Sequence, residues 1–164
     1  MTAAISINKT TFTTDESTHE LIAERWFDAP RELVFRAMTE AERIPRWWGR
    51  HGDVTRVEEM DVRPGGKWRY ISRGADGVDY PFKGEFLEID PPARVVQTFI
   101  FDVEGLSDHV SVVTADFTED GGRTKMIVRN RFPSAEDLAG AKASGMAKGQ
   151  AETYERLEAE LARG

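Results

Sequence analysis

The chain has 164 residues, 40% of them hydrophobic and 31% charged, with a formal charge of -7 at pH 7 and a pI near 5.1. A domain of this length buries about 70% of the surface its unfolded form exposes, so a separate second domain is not expected. The acidic balance disfavours nucleic acid and anionic membranes as partners, and zero cysteines exclude disulfides, thiolate nucleophiles and cysteine metal ligands.

Residues 1–18 are rich in Thr and Ser and lack the apolar core of a signal peptide. They read as a flexible arm, with Ile5, Ile7 and Phe12 leaving room for a short edge strand. Residues 19–164 read as a single domain. No segment approaches the ~20 apolar residues of a membrane span, so the expected location is cytoplasmic and no membrane insertion is expected.

His19 to Phe27 alternates as a strand, and Asp28-Ala29-Pro30 offers an N-cap followed by proline in the first turn of a helix. Leu33, Val34, Ala37 and Met38 give that helix its apolar stripe, and a second short helix is expected over Glu40 to Trp47, ended by Gly49. Six antiparallel strands follow, near 54–63, 66–73, 80–90, 93–102, 109–119 and 123–132. They are cut by Pro64-Gly65-Gly66, Gly74-Ala75-Asp76-Gly77, Asp90-Pro91-Pro92, Glu104-Gly105 and Asp120-Gly121-Gly122. Ser134 then caps one long helix from about Ala135 to Ala162, spanning roughly 40 Å. The order is an α+β arrangement in which a curved antiparallel sheet of about seven strands wraps round a long C-terminal helix, with two short helices after the first strand.

Several motifs fall in a specific order: Phe27-Asp28-Ala29-Pro30, Trp47-Trp48-Gly49, Asp61-Val62-Arg63-Pro64-Gly65-Gly66 and Gly84-Glu85-Phe86-Leu87-Glu88-Ile89-Asp90-Pro91-Pro92. Gly145-Met146-Ala147-Lys148-Gly149 and Glu152-Thr153-Tyr154-Glu155-Arg156-Leu157 follow. Together they resemble, almost end to end, the activator-of-heat-shock-ATPase homologue-like branch of the START-like, or SRPBCC, superfamily. That resemblance implies the helix-grip fold shared with the birch-pollen allergens. The superfamily includes lipid carriers, hormone receptors, polyketide cyclases and co-chaperones, so fold alone does not settle function. Co-chaperones of this branch carry a further domain ahead of the matched part, and this chain has nothing of that size before His19.

The aromatics Trp47, Trp48, Trp68, Tyr70, Phe82, Phe86, Phe99 and Phe101 are the set available to wall a cavity. Alternation puts Trp68 with Tyr70, and Phe99 with Phe101, on common strand faces. In the last helix Gly145 and Gly149 each cost about 1 kcal/mol relative to alanine. Either the sheet backbone approaches closely there or the missing side chains leave room for a ligand. Met146 and Gln150 border the same space, and Gln97 and Arg129 are polar candidates for the inner wall. The expected ligand-binding residues are Trp48, Trp68, Tyr70, Phe99, Phe101, Met146 and Gln150.

His19, His51 and His109 are the only imidazoles and show no metal-site spacing, so neither a metal nor another cofactor is expected. No Gly-x-Ser-x-Gly elbow is present, and no catalytic residue can be assigned. The leading expectation is binding of a small hydrophobic molecule between sheet and terminal helix. A second is a cavity enzyme of cyclase, dehydratase or hydrolase type using Glu85, His51 or His109 as proton carrier. A third is a co-chaperone-like module that stimulates a heat-shock ATPase. A homodimer is the expected assembly, on the resemblance and the acidic edge strand.

Overall fold

The computed structural model describes residues 4–163. Its strands are β1 (Ile5–Ile7), β2 (Thr10–Asp15), β3 (Glu20–Phe27), β4 (Val54–Met60), β5 (Lys67–Arg73), β6 (Asp79–Asp90), β7 (Arg94–Phe101), β8 (Ser111–Asp120) and β9 (Arg123–Arg131). The helices are α1 (Arg31–Thr39), α2 (Ile44–Trp47), α3 (Ala135–Ala143) and α4 (Met146–Ala162). All strands join one antiparallel sheet in the order β1-β2-β3-β9-β8-β7-β6-β5-β4. This is the helix-grip arrangement, with nine strands among the described residues where about seven were expected.

The two additional strands come from the N-terminal segment. Phe12 is 1% exposed and sits in the core beside Leu21 and Phe27, so β2 is held by burial as well as by its ladder to β3. Period-two alternation buries Leu21, Ala23 and Phe27 of β3 and Met126 and Val128 of β9, which pair across the middle of the sheet.

Helix α1 starts without the expected side-chain cap: Pro30 occupies the N-cap position, and the free N–H of Arg31 is answered from across the fold by Glu119 Oε1 at 2.8 Å. Helix α2 is shorter than expected, a single turn from Ile44. The long terminal helix is two helices. Ser134 caps α3 as expected, accepting from the backbone N–H of Asp137 at 3.1 Å, but the helix stops at Ser144-Gly145. Gly145 takes φ 82°, a left-handed conformation that favours glycine, and α4 begins after it. Along α4, Ala151, Tyr154, Leu157 and Leu161 are buried at helical spacing.

Gly84 lies opposite Trp68 in the β5–β6 ladder. The Trp68 indole crosses it to donate from Nε1 to the carbonyl of Thr98 at 3.2 Å. A methyl group on Gly84 would overlap that carbonyl and stand 2.6 Å from the indole nitrogen. Replacement Gly84→Ala is therefore expected to lower stability by about 1–3 kcal/mol through overpacking. Urea unfolding checks this, with Trp68 fluorescence shifting in the folded baseline; an unchanged midpoint and spectrum would contradict the close approach.

Candidate functional site

Helix α4 packs mainly against α1, α2, β1 and β2. Between the N-terminal half of that helix and the concave face of strands β5 to β9 lies a half-open cavity of about 450 Å³. That volume lies in the range of small-molecule sites.

Trp47-Trp48-Gly49 forms one side. Trp47 is buried and its indole N–H donates to the Ala37 carbonyl at 2.9 Å, fixing the end of α2 to α1. Thr55 Oγ1 donates to the Trp48 carbonyl at 2.6 Å and meets Ser72 Oγ at 2.9 Å, so the loop is clamped to β4 and β5. Gly49 has φ 119°, and a side chain there would crowd Asp53, Thr55 and Ser72 at 3.1 Å. Only glycine lets the chain turn under the tryptophans.

The aromatic wall is continuous. Trp48 packs edge-on to Phe82, ring centroids 5.0 Å apart, Phe82 stacks on Phe101 at 5.1 Å, and Trp68 meets Phe99 at 5.6 Å. Trp48, Trp68, Phe99, Phe101, Met146 and Gln150 all line the cavity, as does Gln97. Tyr70, expected among them, does not. It shares a strand face with Trp68, but the Trp48 ring covers it edge-on at 5.2 Å, and its hydroxyl turns away to Met60 Sδ at 3.6 Å. Burial pushes its phenol well above the ordinary range.

The helix glycines have two separate explanations. Gly145 is the break between α3 and α4, whereas Gly149 faces the stem of Arg50, whose Cγ would lie 3.4 Å from an added Cβ. Both border the cavity. Arg50 is ion-paired with Asp53 at 3.1 Å and lies over the Tyr80 ring, 5.4 Å from its centroid.

The other polar candidates point elsewhere. Arg129 is exposed, because Val128 and Asn130 take the inward positions on β9. Glu85 pairs with Lys67 on the outer face of the sheet. His51 Nε2 meets Glu155 Oε1 at 2.9 Å, and His109 Nδ1 meets Asp137 Oδ2 at 2.7 Å; both rings are about half exposed and neither lines the cavity. The alternation missed Asn130 and, on α4, Tyr154 was read only as a packing residue; both reach the cavity. Among the described residues no three His, Cys, Asp or Glu side chains gather as a metal site, and no helix is long and apolar enough to cross a membrane.

A curved sheet gripping a helix over an apolar cavity defines the START-like class. Within it, residues 28–162 match the family model described as activator of Hsp90 ATPase homolog 1-like protein, and the chain belongs to that family. Its fold is similar to that of a crystal structure of a Mycobacterium smegmatis protein, TM-score 0.82 at 24% identity, covering 96% of each chain. A solution structure of an Arthrobacter aurescens protein gives TM-score 0.87 at 24% identity, over 93% of this chain and 91% of that one. A Silicibacter pomeroyi protein described as AHSA1 gives TM-score 0.72 at 22% identity, over 87% and 97%. At these identities the likeness speaks for the fold. A comparison with curated proteins gives no match.

The His109–Asp137 pair ties the β7–β8 loop to the first turn of α3, and Asp137 holds the imidazole pKa above its ordinary value, with Asp108 and Glu136 adding to the effect. A raised folded-state pKa means the contact stabilises at low pH and fades as pH rises through the raised midpoint. A proton NMR titration should place His109 above ~6.5, and Asp137→Asn should bring it down. A wild-type midpoint at or below the ordinary value would show that the pair does not form in solution.

Proposed function

We propose that the protein binds a small, mainly apolar molecule in this cavity, with Trp48, Trp68, Phe99, Phe101, Met146 and Gln150 as contact residues. The observation that carries the reading is an aromatic-walled space of about 450 Å³ that the protein's own side chains leave unfilled. Apolar walls with a few convergent polar groups are the usual makeup of a ligand site. The cytoplasm is the location we assign, in keeping with a cysteine-free sequence.

The enzyme reading draws less support. Its three proton carriers, Glu85, His51 and His109, are taken up by surface partners outside the cavity: Lys67, Glu155 and Asp137. The one carboxylate in the lining, Asp53, is matched by Arg50. The co-chaperone reading rests on the family's description alone, and we place it second.

Native mass spectrometry of the purified protein, followed by denaturing extraction, should release an apolar small molecule or show added mass when one is supplied. Filling the space tests the same reading from the other side. Val113 lines the cavity from β8, and Val113→Phe should weaken binding at least about tenfold while stability changes by no more than ~1 kcal/mol. Unimpaired binding by a folded Val113→Phe protein would sink the cavity as the site.

A further inference from the structure

Three side chains at the cavity floor form a hydrogen-bond chain whose direction is forced. The Leu21 carbonyl can only accept, so the atom of Asn130 that meets it at 3.0 Å is the donor Nδ2. The same NH₂ group faces Gln150 at 3.4 Å, and Gln150 must answer with Oε1. Gln150 Nε2 is thereby turned to Tyr154 and donates to the phenol oxygen at 2.7 Å.

Two groups are left over. Tyr154 still has its own proton to give, and Asn130 Oδ1 can still accept; neither has a partner among the described residues. Asn130 is 4% and Tyr154 5% exposed, and both border the cavity. The cavity is half-open, and there a ligand group can answer these atoms in place of water.

The floor is also uncharged. Two amides carry no charge, and burial pushes the Tyr154 phenol far above its usual range, so it stays protonated. The charges of the lining, Arg50 and Asp53, belong to the loop after α2 and neutralise each other.

We infer that the floor recognises a neutral group that both accepts and donates a hydrogen bond, namely a hydroxyl on an otherwise apolar ligand, with Tyr154 donating to it and Asn130 Oδ1 accepting from it. This rests on the cavity being a ligand site and adds the ligand's polar chemistry to it. A ligand carboxylate is disfavoured here because Asn130 Oδ1 would face it and the one cation among the lining residues, Arg50, is already paired with Asp53.

Isothermal titration of the full chain with naphthalene, 2-naphthol and 2-naphthoate tests the inference. Naphthol should bind about tenfold more tightly than naphthalene, with naphthoate weakest of the three. In Tyr154→Phe, checked for folding by near-ultraviolet circular dichroism, the naphthol-to-naphthalene affinity ratio should fall to about one. The ratio in the wild-type protein decides the matter even if that variant does not fold. Equal affinities for naphthalene and naphthol, or tightest binding of naphthoate, would overturn the hydroxyl site and leave the apolar-ligand reading standing. If none of the three binds, both fall.

Discussion

Everything in this structure depends on a mismatch between a wide concave sheet and the narrow helix that must cover it. An α-helix with its side chains is about 10–12 Å across, whereas neighbouring strands add roughly 4.8 Å each to the sheet's width. The 17 residues of α4 cannot cover nine strands. The chain meets the shortfall with α1 and α2, which close one part of the face around Val34, Phe35, Ile44 and Trp47. Over β5 to β9 nothing comparable arrives, and the inner face there remains a walled space. The cavity is thus the part of the concave face that the helices border but do not fill.

The wall of that space is shaped by positions where a side chain is missing. Gly49, Gly84 and Gly149 respectively let the chain turn beneath Trp48, let Trp68 cross a neighbouring strand, and let the Arg50 stem lie against α4. At Gly84 and Gly149 the absence permits a large side chain to settle close to backbone, and at Gly49 it permits the positive φ of the turn. The polar groups are held as firmly. Asn130 is anchored to a backbone carbonyl of β3, and Gln150 spans one turn of α4 to Tyr154, whose ring packs edge-on to Phe27 at 6.3 Å.

Much of the fold was legible because its turns are chemically explicit. Gly-rich and Pro-rich reversals located all six strands from β4 to β9 to within a few residues, and Ser134 marked the start of α3. The N-terminal strands were less legible, since Phe12 is stabilised by a core assembled from residues far along the chain. Gly145 was read as a cost within one helix, although a left-handed residue can equally end one helix and begin the next. At the site, alternation identified the faces of Trp68, Phe99 and Phe101, but it could not show that Trp48 would fold over Tyr70. Alternation alone leaves the direction of Arg129 open; the structure puts Met126, Val128 and Asn130 on the inward face, and that parity is the signal that finds Asn130.

The ends of the described chain are fastened to each other. Asn8 donates to Glu155 at 3.0 Å, Lys9 and Arg25 both reach Glu158, and β3 pairs along its length with β9, about a hundred residues later. During synthesis the hairpins from β4 to β8, and equally β1, β2 and β3 among themselves, can form from neighbours already made, whereas the edge of β3 that meets β9 must wait about a hundred residues for its partner. The threonine-rich β1–β3 unit is therefore joined to the rest of the sheet only once β9 is made. Its polar residues suit a unit whose β3 edge must stay in water until β9 and α4 arrive.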